Sequence, residues 1–99
     1  MTFNEYSKEC YQTAKDHGFW DMNLYLLTVP TKIALIMSEL GEALEADRKG
    51  DNEHLAEEIA DTFIRLFDLC GYLNLDIEEI INKKMEVNKN RPFRHNKRY

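Results

Sequence analysis

The sequence predicts an all-α protein, an antiparallel helical bundle of about four helices. Two apolar stripes recur at the three- and four-residue spacing of a helix face, and capping residues and glycines separate the segments between them. The chain has 99 residues, of which 43% are hydrophobic and 31% charged, which is typical of one globular domain. We therefore expect residues 1–99 to form a single domain.

Local signals place the helix ends. Thr2 and Glu5 form a capping box at the start of the first helix. Gly50 separates the second helix from the third, and Asp76 with Glu79 opens the fourth. An aromatic-rich connection joins the first two helices. The helices are expected at about residues 3–17, 30–49, 52–73 and 76–88.

The apolar stripes lie in the second and third helices, and we expect them to form the packing core. They consist of Ile33, Ile36, Met37, Leu40 and Leu44 in one helix, and Leu55, Ile59, Phe63, Leu66, Cys70 and Leu73 in the other.

Charge is unevenly distributed. Residues 1–82 carry 17 acidic and 6 basic residues, whereas residues 83–99 carry one acidic and 7 basic residues. This pattern does not favour duplex nucleic acid as a partner. It suits a site where metal ions neutralise carboxylates and cationic side chains receive a polyphosphate. The basic tail, about residues 91–99, is expected to be flexible unless it docks.

The sequence also favours a cytoplasmic location. No apolar run approaches the roughly 20 residues of a membrane span, so we expect no membrane partner. The first ten residues are polar and acidic, and no signal peptide is apparent. Cys10 and Cys70 lie far apart in the chain, which is typical of reduced cysteines.

Four carboxylates are arranged symmetrically about Gly50. Glu39 lies 11 residues before it and Asp61 11 after, while Glu42 lies 8 before and Glu58 8 after. A hairpin folded at this glycine brings all four to similar heights between two helices. Like charges held so close repel each other unless a cation compensates.

The ligand types indicate a hard cation. The sequence has no histidine partner of the di-iron type, no HExxH motif and no EF-hand loop. Carboxylate oxygens alone suit Mg²⁺, with Mn²⁺ as a possible substitute. The alternative is a solvated acidic helix face, for which the spacing is chance.

The segments SELGE (38–42) and EEIAD (57–61) resemble the ExxE…ExxD signature of the MazG-like, all-α nucleoside triphosphate pyrophosphohydrolases. PTKIALIMSELGEALEA and KMEVNKNRPFRHNK extend the resemblance to about residues 20–98, although Asn96 stands where small members commonly have glycine. The resemblance implies Mg²⁺-dependent hydrolysis of a (d)NTP to the monophosphate and pyrophosphate, and a homo-oligomer, either a dimer or a tetramer. A house-cleaning role on noncanonical nucleotides would be consistent with it.

The resemblance makes Glu39, Glu42, Glu58 and Asp61 the metal-binding and catalytic residues. We expect attack of a water on the α-phosphorus. Arg65, one turn after Asp61, is expected to pair with a carboxylate rather than with phosphate.

Candidate substrate-binding residues are cationic, polar or large. Lys32 could contact phosphate or be a solvated lysine, and Trp20, with Phe19 and Tyr25, could stack on the base or belong to the core or subunit interface. Leu35 could line the pocket or an oligomer interface. Lys84, Asn88 and Arg91 lie near one face of the fourth helix or its continuation.

Two alternatives remain open. One is a non-catalytic helical interaction module whose acidic face and basic tail bind a partner. The other is a superfamily relative acting on dUTP or phosphoribosyl-ATP, which the metal motif does not distinguish.

Overall fold

The protein is described by a computed structural model that covers residues 1–20 and 29–96, without the side chains of residues 95 and 96. The regular structure of these residues is entirely helical, which confirms the predicted all-α class. The elements are α1 (Phe3–Asp16), α2 (Val29–Arg48), α3 (Asn52–Tyr72), α4 (Ile77–Lys89) and a 3₁₀ turn (Phe93–Asn96). This turn lies in the tail, for which no helix was predicted.

The predicted helix ends are confirmed to within a few residues, because their signals are local. The Thr2 hydroxyl accepts a hydrogen bond from the backbone N–H of Glu5 at 3.1 Å, and the Glu5 carboxylate accepts one from the N–H of Thr2 at 2.9 Å. Gly50 adopts φ +72°, which an L side chain rarely tolerates, and it allows the tight turn between α2 and α3. Asp51 then caps α3. Most of the aromatic connection, including Tyr25, lies outside the described residues.

α2 and α3 form an antiparallel hairpin whose seam contains small and charged side chains. Because alanines line part of it, the two helices approach closely. The buried residues are Lys32, Ile36, Ala43 and Ala46 in α2, and Glu58, Thr62 and Leu69 in α3.

The prediction that the apolar stripes form the packing core is wrong for the single chain. Most of their members are exposed, with Met37 at 66% and Phe63 at 56%. The seam lies about 100° around each helix from these stripes, at the carboxylates. Since the helices are antiparallel, the two stripes fall on one side of the hairpin. We call the following residues the apolar face: Ile33, Met37, Leu40, Leu44, Ile59, Phe63 and Leu66.

α1 packs along α3 on the side away from α2. The Tyr6 ring stacks on Phe67 at 5.4 Å, and the Ser7 hydroxyl donates a hydrogen bond to the Phe67 carbonyl at 2.9 Å. The helices come closest at Gly71, where an added Cβ would lie 2.5 Å from the Cβ of Tyr11 and 2.8 Å from the Ser7 carbonyl oxygen. Glycine at this position is therefore required for the contact.

α4 docks through its beginning. Asp76 caps it by accepting a hydrogen bond from the N–H of Glu79 at 3.3 Å, and it also accepts one from the Asn4 side chain at 2.9 Å. Asn4 and Glu78 exchange two further hydrogen bonds. The start of α4 is thus held on the start of α1. None of the described helices combines the length and apolar character of a membrane span.

Candidate functional site

Three carboxylates meet at the hairpin seam. Oxygen atoms of Glu39 from α2 and of Glu58 and Asp61 from α3 all lie within 4.8 Å of one another. Glu39 and Glu58 face each other across the seam, and Asp61 lies one turn further along α3 at its exposed edge. We call these three side chains the carboxylate group.

Glu58 is the most buried member of the carboxylate group, with 7% of its surface exposed. Its Oε1 atom lies 3.1 Å from Nε2 of His54, one turn earlier. Its Oε2 atom is buried and has no hydrogen-bond partner among the described residues. A buried carboxylate oxygen without a partner is costly, since it has lost its water. This orphaned atom indicates a missing ligand.

Crowding of like charges shifts the pKa values in this group. A hydrogen bond with Glu39 is the largest cause that raises the pKa of Glu58 to about 7, and burial and the Glu42 charge add to it. The same hydrogen bond lowers the pKa of Glu39, which Arg65 assists. Glu58 therefore keeps a proton at pH values where an ordinary carboxyl is ionised. A divalent cation would take the place of this proton.

Glu42 lies beside the carboxylate group. Its charge raises the pKa of Glu58, as expected from its predicted position at the same level of the hairpin. Its side chain is exposed, and its oxygens lie outside the 4.8 Å group. The structure therefore brings three of the four predicted ligands together and places the fourth adjacent.

Arg65 pairs with a carboxylate, as predicted. Its Nε atom donates to Oε1 of Glu39 at 2.9 Å. The side chains are 38% and 15% exposed, so the pair is only partly screened by water. The guanidinium places a positive charge directly beside the carboxylate group.

A cavity of about 730 Å³ opens beside the carboxylate group, between α1 and the α2–α3 hairpin. The contribution of α1 was missed, because no sequence signal shows which face of α3 that helix covers. The cavity is lined by Tyr6, Glu9, Cys10, Thr13, Ala14, His17, Phe19, Lys32, Glu39, Asp61, Ile64, Arg65 and Asp68.

Lys32 and Trp20 are both engaged within the fold. Lys32 is 8% exposed, donates to the Phe19 carbonyl at 3.2 Å and lies over the Trp20 ring, 4.2 Å from its centroid. Trp20 stacks on Tyr72 at 4.2 Å and donates through Nε1 to Asp68 at 2.9 Å. Trp20 is thus held in place by aromatic and polar contacts, and Lys32 also lines the cavity.

Like Trp20, the other predicted substrate residues lie outside the cavity lining. Leu35 is exposed on α2. Lys84 and Asn88 are exposed on α4, and Arg91 is exposed just after it. α4 packs against α1 rather than against the carboxylate group.

The donor set fits a hard divalent cation. Oxygens from three carboxylates converge, one oxygen lacks a partner, and one side of the group opens to a cavity. Mg²⁺ is bound in this way by a few carboxylates together with water and phosphate oxygens. Glu39, Glu58 and Asp61 would hold such an ion.

Comparison with protein families identifies the chain. Residues 27–98 match the family model of the MazG nucleotide pyrophosphohydrolase domain. The chain belongs to this family. A curated relative, a dATP/dGTP diphosphohydrolase of Cyanophage S-2L, is 36% identical over 61 residues, which cover 62% of this chain and 54% of the relative. The chain thus spans about half the length of that relative. No solved structure matches significantly.

The MazG match covers α2, α3 and α4, and so includes the carboxylate group. It does not include α1 or Trp20, which supply one wall of the cavity and a partner of Asp68. The site thus combines the matched MazG segment with residues that precede it.

Proposed function

We propose that the protein is a Mg²⁺-dependent nucleoside triphosphate pyrophosphohydrolase that converts a (d)NTP and water to the (d)NMP and pyrophosphate. The observation that carries the proposal is the carboxylate group on the wall of a nucleotide-sized cavity, with a buried Glu58 oxygen that lacks a partner. Membership of the MazG family supports it.

The carboxylates and Arg65 have different proposed roles in the reaction. Glu39, Glu58 and Asp61 would hold Mg²⁺, with Glu42 beside them. Such an ion would supply charge neutralisation at phosphate oxygens and a more acidic water. Water attacks the α-phosphorus, a carboxylate accepts its proton, and pyrophosphate leaves. Arg65 lies close enough to offer a second positive charge to the triphosphate. Mn²⁺ can replace Mg²⁺, since both prefer oxygen ligands.

The substrate is proposed to be a deoxynucleoside triphosphate. The name of the cyanophage relative says that it acts on dATP and dGTP. Apolar residues that could contact the faces of a base, including Phe19 and Ile64, line the cavity together with charged residues. Removal of unwanted nucleotides is the role that fits this activity.

The working form is proposed to be a homo-oligomer of this single domain, either a dimer or a tetramer, in the cytoplasm. A second copy would cover the apolar face, whose side chains are each at least 41% exposed in one chain. Lys84, Asn88 and Arg91 lie outside the cavity within one chain, and their proposed place of action is the site of a neighbouring copy. The two free cysteines suit a reducing compartment.

Product analysis tests the reaction. The purified protein is incubated with Mg²⁺ and a panel of NTPs and dNTPs in ¹⁸O-labelled water, and the products are resolved by ³¹P NMR. Label in the monophosphate, with pyrophosphate as the other product, is expected, and the Glu42→Gln variant should lose this turnover. Orthophosphate, or label in the pyrophosphate, would refute the mechanism. A folded protein that neither binds Mg²⁺ nor turns over any nucleotide would instead be an interaction module.

A further inference from the structure

Asp68 is an acidic residue in the cavity that the proposed chemistry does not use. It lies seven residues after Asp61 on nearly the same side of α3, so the two are separated by about 10 Å along the helix axis. The carboxylate group therefore lies at one end of the cavity and Asp68 at the other. This separation suits a nucleotide that spans the cavity from its phosphates to its base.

Specific contacts with neighbouring side chains hold Asp68 in place. The carboxylate is half-buried, and burial raises its pKa, while the Trp20 hydrogen bond and the Lys32 charge oppose that shift. Trp20 holds Oδ1 at 2.9 Å, and Tyr72 and Lys32 fix the indole ring in turn. Among the described residues, no second donor forms a hydrogen bond with Asp68. Since Asp68 lines the cavity, its carboxylate can accept a further hydrogen bond from a ligand there.

Charge decides which part of a nucleotide lies here. The proposed cation at the carboxylate group attracts the triphosphate, so the base is left to lie towards Asp68. The positive charges of Lys32 and Arg65 partly offset the charge of Asp68. An ionised carboxylate only accepts hydrogen bonds. Adenine and cytosine carry an exocyclic amino group where thymine and uracil carry a carbonyl oxygen, and guanine carries its amino group at C2.

We propose that Asp68 is a specificity-determining residue that accepts a hydrogen bond from the exocyclic amino group of the substrate's base. This inference rests on the proposed function and narrows its substrates to deoxynucleotides of adenine, guanine or cytosine. Thymine and uracil are disfavoured because their single ring N–H donor on this edge is flanked by two carbonyl oxygens, which the carboxylate repels. Trp20 acts as a positioning residue, since its Nε1 donor orients the Asp68 carboxyl.

The first test needs no variant and no turnover. Calorimetry compares binding of dGMP with dIMP, which lacks only the amino group, and of dAMP with the monophosphate of 2′-deoxynebularine, which lacks the adenine amino group. A hydrogen bond to a charged acceptor predicts about 10- to 100-fold weaker binding of at least one deaminated partner. Equal affinities within both pairs, together with equal affinities for dCMP and dUMP, would overturn the proposal.

The second test uses Asp68→Asn, which keeps the shape of the side chain and an oxygen for Trp20. The ratio of kcat/KM for amino-bearing dNTPs to that for dTTP should fall about 10-fold or more. Asp47→Asn is the matched control, because Asp47 is exposed on α2 outside the cavity. An equal loss for all nucleotides would make Asp68 merely structural and overturn the proposal. If Asp68→Asn does not fold, as judged by circular dichroism, the monophosphate pairs decide.

These measurements separate the two proposals. Wild-type protein that binds dGMP more tightly than dIMP but hydrolyses no dNTP would retain the role of Asp68 and refute the proposed function. Wild-type protein that hydrolyses dNTPs without regard to the amino group would do the reverse.

Discussion

The two sides of the α2–α3 hairpin contrast in charge and in burial. One side, next to α1, carries the carboxylate group, whose member Glu58 is only 7% exposed. The other side carries the apolar face, where Phe63 is 56% exposed. A monomeric globular protein has the opposite arrangement, with charges outside and large apolar side chains inside. The proposed function assigns a partner to each side: a cation to the carboxylate group and a second copy of the chain to the apolar face.

The largest expected effect is on the charged side. Glu58→Gln should lower kcat/KM for dNTP hydrolysis by at least about 100-fold, because a buried ligand of the metal is lost. It should also abolish the rise in melting temperature that Mg²⁺ gives the wild-type protein. Glu57→Gln, at the exposed neighbouring position, is the control and should leave both quantities unchanged. If Mg²⁺ raised the melting temperature of Glu58→Gln as much as that of the wild-type protein, the carboxylate group would not be the metal site.

On the apolar side, Phe63→Glu should dissociate the oligomer. Burial of one phenylalanine ring contributes about 1.5–3 kcal/mol, and a buried unpaired carboxylate costs more than that. In a symmetric interface both copies carry the substitution, so the loss of binding free energy is doubled. Light scattering coupled to size exclusion should show the mass fall to the 11.7 kDa of one chain. Ser38→Glu adds the same charge to α2 outside the apolar face and should leave the mass unchanged. A wild-type protein that is already monomeric would show that the apolar face has another partner.

A smaller effect is expected from the ion pair that borders the charged side. Arg65→Met should tighten Mg²⁺ binding to the nucleotide-free protein by several-fold, since the guanidinium competes for Glu39 and repels the cation. Arg48→Met, which removes an exposed pair with Glu45, is the matched control. Calorimetric titration with MgCl₂ measures both. Weaker Mg²⁺ binding in Arg65→Met would mean that Arg65 orients Glu39 instead of competing for it.

The mildest expected effect is on pH dependence. Glu58 has a folded pKa of about 7 against its ordinary value of 4.5, so between these values the unfolded chain releases a proton that the folded chain keeps. Stability of the metal-free protein should therefore fall as pH rises through that window. Thermal melts in EDTA from pH 4 to 8 measure this slope. Glu58→Gln should flatten it, and an unchanged slope would assign the titration to another group.

Mg²⁺ binding gives an independent view of the same proton. Below pH 7 the ion should displace it, so apparent affinity should rise with pH by at most about tenfold per unit and level off above 7. Calorimetry in buffers of different ionisation enthalpy counts the released protons.

The helix ends and the register of the hairpin could be predicted, because they depend on neighbours in sequence. Gly50 and the caps at Thr2 and Asp51 act within one turn, and counting outward from Gly50 placed Glu42 beside Glu58. The face of α2 that packs against α3 could not be predicted, because the small residues Ala43 and Ala46 give a weaker sequence signal than the apolar stripe. An interface between chains and a core within one chain produce the same periodicity.

The cavity could not be predicted from the sequence either, since it depends on where α1 crosses α3. Lys32 and Trp20 were selected as substrate residues, yet their present contacts are with each other, with Asp68 and with Tyr72. Asp68 itself carries no motif and becomes recognisable only when the cavity places it opposite the carboxylate group.

The crossing at Gly71 gives the cavity its width. There the backbone of Gly71 in α3 lies against the Ser7 carbonyl and the Tyr11 side chain of α1. The cavity-lining residues of α1 lie on both sides of this contact, from Tyr6 to His17. A methyl group at residue 71 would push α1 away from α3 and so widen the cavity between α1 and the hairpin. The dimensions of the cavity thus depend on a hydrogen atom at a residue outside its lining.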